Sequence, residues 1–186
     1  TFSMLPPRLT AQQLAERRPP VASRTGENLF WLGRYTERTE QAVRLARAAL
    51  ELIDGDDEVP AALLAALSRL AGAQALVSLL AGLRDRQLGI GFNLQALARS
   101  ADALRDRLSS EHAGLLRRLG DDFAAALPAT AGELPGLPSV AQAMPALQQL
   151  TLQLAAVTGA QTDRMTRDHG WRLLSVGRLI ERLAGM

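Results

Sequence analysis

The amino-acid sequence predicts an all-α protein, a multi-helix bundle in which one helical motif occurs twice and its two copies pair about a pseudo-twofold. Three observations carry this expectation. Ala, Leu and Arg, which head the helix-propensity scale, dominate a chain of 186 residues that is 47% hydrophobic and only 4% aromatic. No stretch sustains the alternation of Val, Ile, Thr and aromatics that marks a strand. The segment TGENLFWLGRYTER, residues 25–38, returns 144 positions later as HGWRLLSVGRLIER, residues 169–182.

The two segments share G-x-x-L-x-x-x-G-R-x-x-E-R. Gly26 falls on Gly170, Leu29 on Leu173, Gly33 on Gly177, Arg34 on Arg178, Glu37 on Glu181 and Arg38 on Arg182. Composition alone does not produce such agreement, so the repeat is the organising feature.

The length suits one domain with a real core. Every one of the 21 basic residues is Arg, which accounts for a high isoelectric point at a net charge of only +2. That basicity is no signature of nucleic-acid binding. Cysteine is absent, which excludes disulfides and thiolate metal sites and fits a cytoplasmic protein. No signal peptide is read at the start. The most apolar window, residues 59–83, is long enough to span a bilayer, but Arg69, Gln74 and two Ser interrupt it, so it is read as buried helix rather than membrane span.

Residues 1–22 read as a proline-punctuated linker around a short polar helix capped by Thr10, and residues 23–186 as the helical domain. The opening without Met suggests a piece of something longer. Helix one is expected from Thr25, as cap, to Ile53, with Glu27 favourably placed in its first turn. Leu29, Leu32, Thr36, Thr39, Val43, Ala46, Leu50 and Ile53 form a heptad-like seam for packing at shallow angles. Residues 60–81, apolar nearly all round, predict two short buried helices broken near Gly72. Gly89 and Gly91 mark a turn. From Asn93 the helical spacing resumes through Leu94, Leu97, Ala101, Leu104, Leu108, Leu115 and Leu119. Ser109-Ser110-Glu111 either caps a new helix or lies on a continuous one. Residues 120–138 read as an irregular crossing. After Pro145 a helix carries Leu147, Leu150, Leu154 and Val157 towards Met165. Asp168 caps the last helix, which begins near Gly170 and has its own seam of Leu173, Val176, Ile180 and Leu183.

Gly33, Arg34, Glu37 and Arg38 share one side of their helix. A glycine in a helix interior costs about 1 kcal/mol relative to Ala, and its appearance in both copies suggests a close backbone approach. The two helices are therefore expected side by side, each presenting two Arg and one Glu. The planar guanidinium fork suits bidentate pairing with a carboxylate. Four Arg against two Glu leave a positive surplus, which admits two readings of Arg34, Glu37, Arg38, Arg178, Glu181 and Arg182. They form a structural clamp, the leading reading, or a site for an anion or an acidic partner segment. Gly33 and Gly177 belong to helix packing, as do the aromatics Trp31, Tyr35 and Trp171. With so few aromatics, single-stranded nucleic acid is not an expected partner.

The lone His112 and His169 lack partners at metal-ligand spacing, so no metal site is expected. No phosphate loop or nucleophile elbow is present, and the catalytic residues are unknown. Glu37 or Glu181 as a general base is disfavoured, because flanking arginines lower a carboxylate pKa.

The words SRTGENLFWLGRYTER, LRDRLSSEH and RDHGWRLLSVGRLIER, in that order, resemble the Alpha-E family, an all-helical bacterial domain named for its ER motif. The resemblance covers residues 23–186 and is strongest at both ends and around 104–112. It implies that C-terminal helices of the family are missing here, leaving a face of the bundle uncovered or the chain self-associated as a homo-oligomer. It also implies association with an ATP-grasp domain, fused or separate, and with transglutaminase-like proteins. ATP and Mg would belong to that ATP-grasp partner, a carboxylate–amine ligase, with no cofactor in the present chain.

Overall fold

The computed structural model describes residues 21–54, 89–127 and 139–185, with Thr10, Ala62 and Leu83 as isolated positions. All the regular structure among these is helical. Helix α1, Ser23–Asp54, runs for 32 residues, about 48 Å at the usual rise of an α-helix. It starts two residues before Thr25, and the Ala22 carbonyl takes the Gly26 N–H. Leu29, Leu32, Thr36, Thr39, Val43, Ala46 and Leu50 are all buried, as the seam requires.

Helix α2, Gly89–Ala103, opens on Gly89 at φ 74°, a left-handed conformation natural to glycine. Gly91 lies inside this helix and not in a turn. A short turn then leads to helix α3, Ser110–Ala126, where Ser109 accepts the His112 N–H at 3.2 Å. The open question at Ser109-Ser110-Glu111 is thus resolved in favour of a cap. The irregular crossing expected from Gly120 is overturned through Ala126. Leu116, Leu119 and Phe123 continue the apolar spacing into the core, and a Cβ on Gly120 would lie 3.8 Å from the Leu94 Cβ.

Helix α4, Val140–Gly159, begins before Pro145 rather than after it. Ser139 and Gln142 form a capping box that starts the helix. Pro145 and Ala141, whose carbonyl the proline cannot pair, are both exposed residues of the helix. One π-helical turn, Ala160–Arg164, follows, and helix α5, His169–Ala184, is capped by Asp168, which accepts the Trp171 N–H at 3.0 Å. Arg107, from the turn between α2 and α3, pairs with the same Asp168 carboxylate.

Helices α1, α2, α3 and α4 pack in a ring, each on the next and α4 back on α1. Leu-rich faces fill its centre, among them Leu50, Leu94, Leu97, Leu116, Leu147 and Leu150, with Leu83 added. Helix α5 lies outside the ring, along α1. Among the described residues no helix is long and apolar enough to cross a membrane. The linker of residues 1–22 and the two buried helices of 60–81 fall almost wholly outside the described residues.

One expectation about α5 fails. Leu173, Val176, Ile180 and Leu183 are exposed. The helix buries Gly170, Leu174, Gly177 and Glu181 instead. Pairing through the glycines brings the backbones closer than a leucine seam allows, and the seam is left on the outer side.

Candidate functional site

Contact between α1 and α5 starts at the glycines. A Cβ on Gly33 would lie 2.9 Å from the Leu174 carbonyl carbon and nearer still to its oxygen. A Cβ on Gly177 would meet the Phe30 carbonyl carbon at 3.0 Å in the same way. Phe30 and Leu174 are themselves 144 positions apart. Two turns earlier, Gly26 faces Leu173 and Gly170 faces Leu29. The pairs Gly26–Leu173, Phe30–Gly177 and Arg34–Glu181 advance four residues together, so the two helices run parallel. A local twofold along their axes relates them.

The motif's charged residues cross between the helices. Arg34 Nε donates to Glu181 Oε2 at 2.6 Å. Arg38 grips the same carboxylate through Nε to Oε1 at 2.6 Å and Nη2 to Oε2 at 3.0 Å. In the opposite direction Arg182 holds Glu37 through Nε at 2.8 Å and Nη2 at 2.9 Å. Arg178 reaches Glu37 Oε2 through Nε at 3.3 Å and Nη2 at 3.2 Å. Each glutamate thus takes two arginines from the other copy of the motif. The Glu37 side chain is 0% exposed and that of Glu181 9%.

Burial pushes both carboxyls up, but hydrogen bonds and charge outweigh it. Arg182 and Arg178 hold Glu37 below the ordinary carboxylate value. Arg38 and Arg34 do the same for Glu181. Reciprocally, Glu37 raises Arg182 above its usual value. Both glutamates are therefore fixed anions near neutral pH.

Several partners escaped the sequence reading. Arg178 Nη2 also donates to Glu40 at 3.0 Å, and its Nη1 to Thr158 Oγ1 at 3.0 Å. The Thr158 hydroxyl donates to Glu40 at 2.5 Å. Buried Gln161, from the π turn, faces Arg178 Nη1 at 3.5 Å and donates to Thr36 Oγ1 at 3.0 Å. The polar network thus runs from α5 through α1 to α4 and the π turn. The available signal was a polar pair, Thr36 and Thr39, inside a largely apolar seam. Glu40 alters the expected charge tally, while Arg44 Nη2 stands 3.9 Å from Glu37.

The aromatics sit beside the clamp. Trp31 stacks on Tyr35 with centroids 5.7 Å apart, and Tyr35 meets Phe92 of α2 edge-on. Arg34 lies over Trp31 at 5.3 Å and Arg38 over Tyr35 at 5.7 Å, which steadies both guanidiniums. Trp171 donates its indole N–H to the Gln161 carbonyl at 2.9 Å, locking the π turn against α5. A cavity of about 330 Å³ opens next to the clamp, lined by Glu37, Gln41, Arg44, Leu45, Arg182 and Gly185.

Residues 21–186 match the model of a family described as a predicted alpha-helical domain with a conserved ER motif. The chain belongs to the Alpha-E family. The crossed Glu-Arg pairs of this Alpha-E domain are built from both of its ER sequences. No curated protein and no solved structure matches the chain.

Proposed function

We propose that this Alpha-E domain is a non-catalytic helical accessory or docking domain of an ATP-grasp-type carboxylate–amine ligase system. One observation carries its non-catalytic character. Both motif carboxylates are buried, each held by two arginines, and kept below their ordinary pKa. A general base works best with a pKa near the operating pH, and these two are driven the other way.

The ligase setting is supported by the resemblance of the three motifs. On this reading ATP and Mg are handled by the ATP-grasp domain, fused or separate, and transglutaminase-like proteins belong to the same cytoplasmic system. The Alpha-E domain contributes a rigid helical surface. Titrating the chain with an ATP-grasp protein encoded in the same genome should give a stoichiometric complex, with no ATP turnover by the chain alone. A folded chain that forms no such complex defeats the docking role. Turnover by the chain that is lost in Glu37→Gln defeats the non-catalytic one.

A second reading is favoured by the complete pairing of the four motif arginines. In it the domain is a structural scaffold or homo-oligomerisation module, and the cluster only fixes helix packing. Arg34→Gln and Arg178→Gln should then lower stability and leave every binding property intact. Selective loss of binding in a folded variant would count against it.

A further inference from the structure

The local twofold relates the outer faces of α1 and α5 as well as their contact, and among the described residues only the face of α1 is covered. On α1, Leu29, Leu32, Thr36 and Thr39 are buried in the bundle, where α1 packs on α2 and α4. Their counterparts on α5 are Leu173, Val176, Ile180 and Leu183, exposed by 38%, 44%, 42% and 71%. Half-buried Tyr35 becomes Leu179, which is also exposed. The bare copy is the more apolar of the two, with Ile180 for Thr36 and Leu183 for Thr39. A helix face meant for water carries polar residues, and five large apolar side chains in one stripe mark an interaction surface.

Charge narrows the partner. The only carboxylate between residues 169 and 185 is Glu181, which the clamp buries. Helical spacing places exposed Arg172 within the apolar stripe, whereas the Arg182 guanidinium beyond its edge is already held by Glu37. A second copy of this face would bring another Arg172 and no free carboxylate to meet it, which disfavours self-pairing.

We propose that the outer face of α5 receives a pair of amphipathic helices from a protein partner. The local twofold sets them on α5 as α2 and α4 sit on α1. Their apolar seam carries a Glu or Asp that meets Arg172. The inference deepens the docking role above and rests on it in supposing a protein partner.

The test uses two designed helix-loop-helix peptides with the same leucine seam, one flanked by Glu and the other by Lys, followed by fluorescence anisotropy against the full chain. The Glu peptide should bind about fivefold more tightly at low salt, as expected when one exposed ion pair at Arg172 replaces a like-charge contact of similar size. Val176→Glu and Leu183→Glu should abolish binding while leaving helicity and melting temperature unchanged, since both side chains are exposed. Equal affinities, no binding, or binding that survives these variants overturns the proposal. So does sedimentation showing a dimer of the chain that Val176→Glu dissolves, which would assign the face to a second copy. A chain that binds the Glu peptide but no ATP-grasp protein keeps this surface and removes the partner named above.

Discussion

Arg34 and Glu181 meet across two parallel helices at 2.6 Å, although 147 positions separate them in the chain. The residues 144 positions away, Arg178 and Glu37, pair in the reverse sense. An ER motif used in this way is half of a clamp, and it is complete only when its second copy lies alongside. The glycines make the reach short enough. The two functions of the motif, close approach and charge exchange, therefore stand or fall together.

Substituting the motif glycines should separate the helices. Gly33→Ala and Gly177→Ala each place a methyl group against a backbone carbonyl, which cannot swing aside. Each should cost about 3 kcal/mol or more in urea unfolding, at the severe end for overpacking. Gly159 supplies the control, since a Cβ there meets nothing within 4 Å. Gly159→Ala should be neutral or stabilise by about 0.5 kcal/mol. Equal effects at all three positions would remove the close-approach account.

The two glutamates are not equivalent. Glu37 is fully buried and takes Arg178 and Arg182, with Arg44 near by, whereas Glu181 is slightly more exposed and takes Arg34 and Arg38. Glu37→Gln should cost about 3–4 kcal/mol, the range for breaking a buried ion pair. Glu181→Gln should cost less, about 2 kcal/mol. Chemical denaturation of the two variants at pH 7 checks the order.

Acid should weaken the fold in two stages. His112 is buried, its Nε2 has no hydrogen-bond partner, and burial lowers its pKa to about 4. The unfolded chain takes up this proton at about pH 6.5, before the folded one does. Stability is thus full above pH 6.5 and falls as pH drops towards 4, by about 3 kcal/mol in all. His112→Leu should flatten this stage. Below the ordinary carboxylate range a second loss follows, as Glu37 and Glu181 protonate and release their arginines. Denaturation midpoints from pH 8 to pH 3 follow both stages, and a wild-type slope unchanged in His112→Leu would refute the first.

The repeat, the α1 seam and the Asp168 cap could be read from the sequence because each is a local pattern with a fixed spacing. The close approach at Gly33 and Gly177 was legible too, but the exposure of the α5 seam was not. Apolar periodicity pointed to Leu173, Val176, Ile180 and Leu183, but the tighter contact between backbones runs through Gly170 and Gly177. Pro145 misled as well. The Ser139–Gln142 capping box sets the start of α4 ahead of the proline, which lies on its exposed side. Glu40, Thr158 and Gln161 join the network only through tertiary packing, so no spacing announced them.

The claim that matters most is that the ER motif acts between helices and not within one. A double-mutant cycle on Arg178 and Glu37, read by urea unfolding, tests it directly. The coupling should be about 2 kcal/mol for this pair, against about 0.5 kcal/mol or less for Arg178 and Glu181, three residues apart on one helix. Strong coupling within α5 and none across to α1 would contradict it.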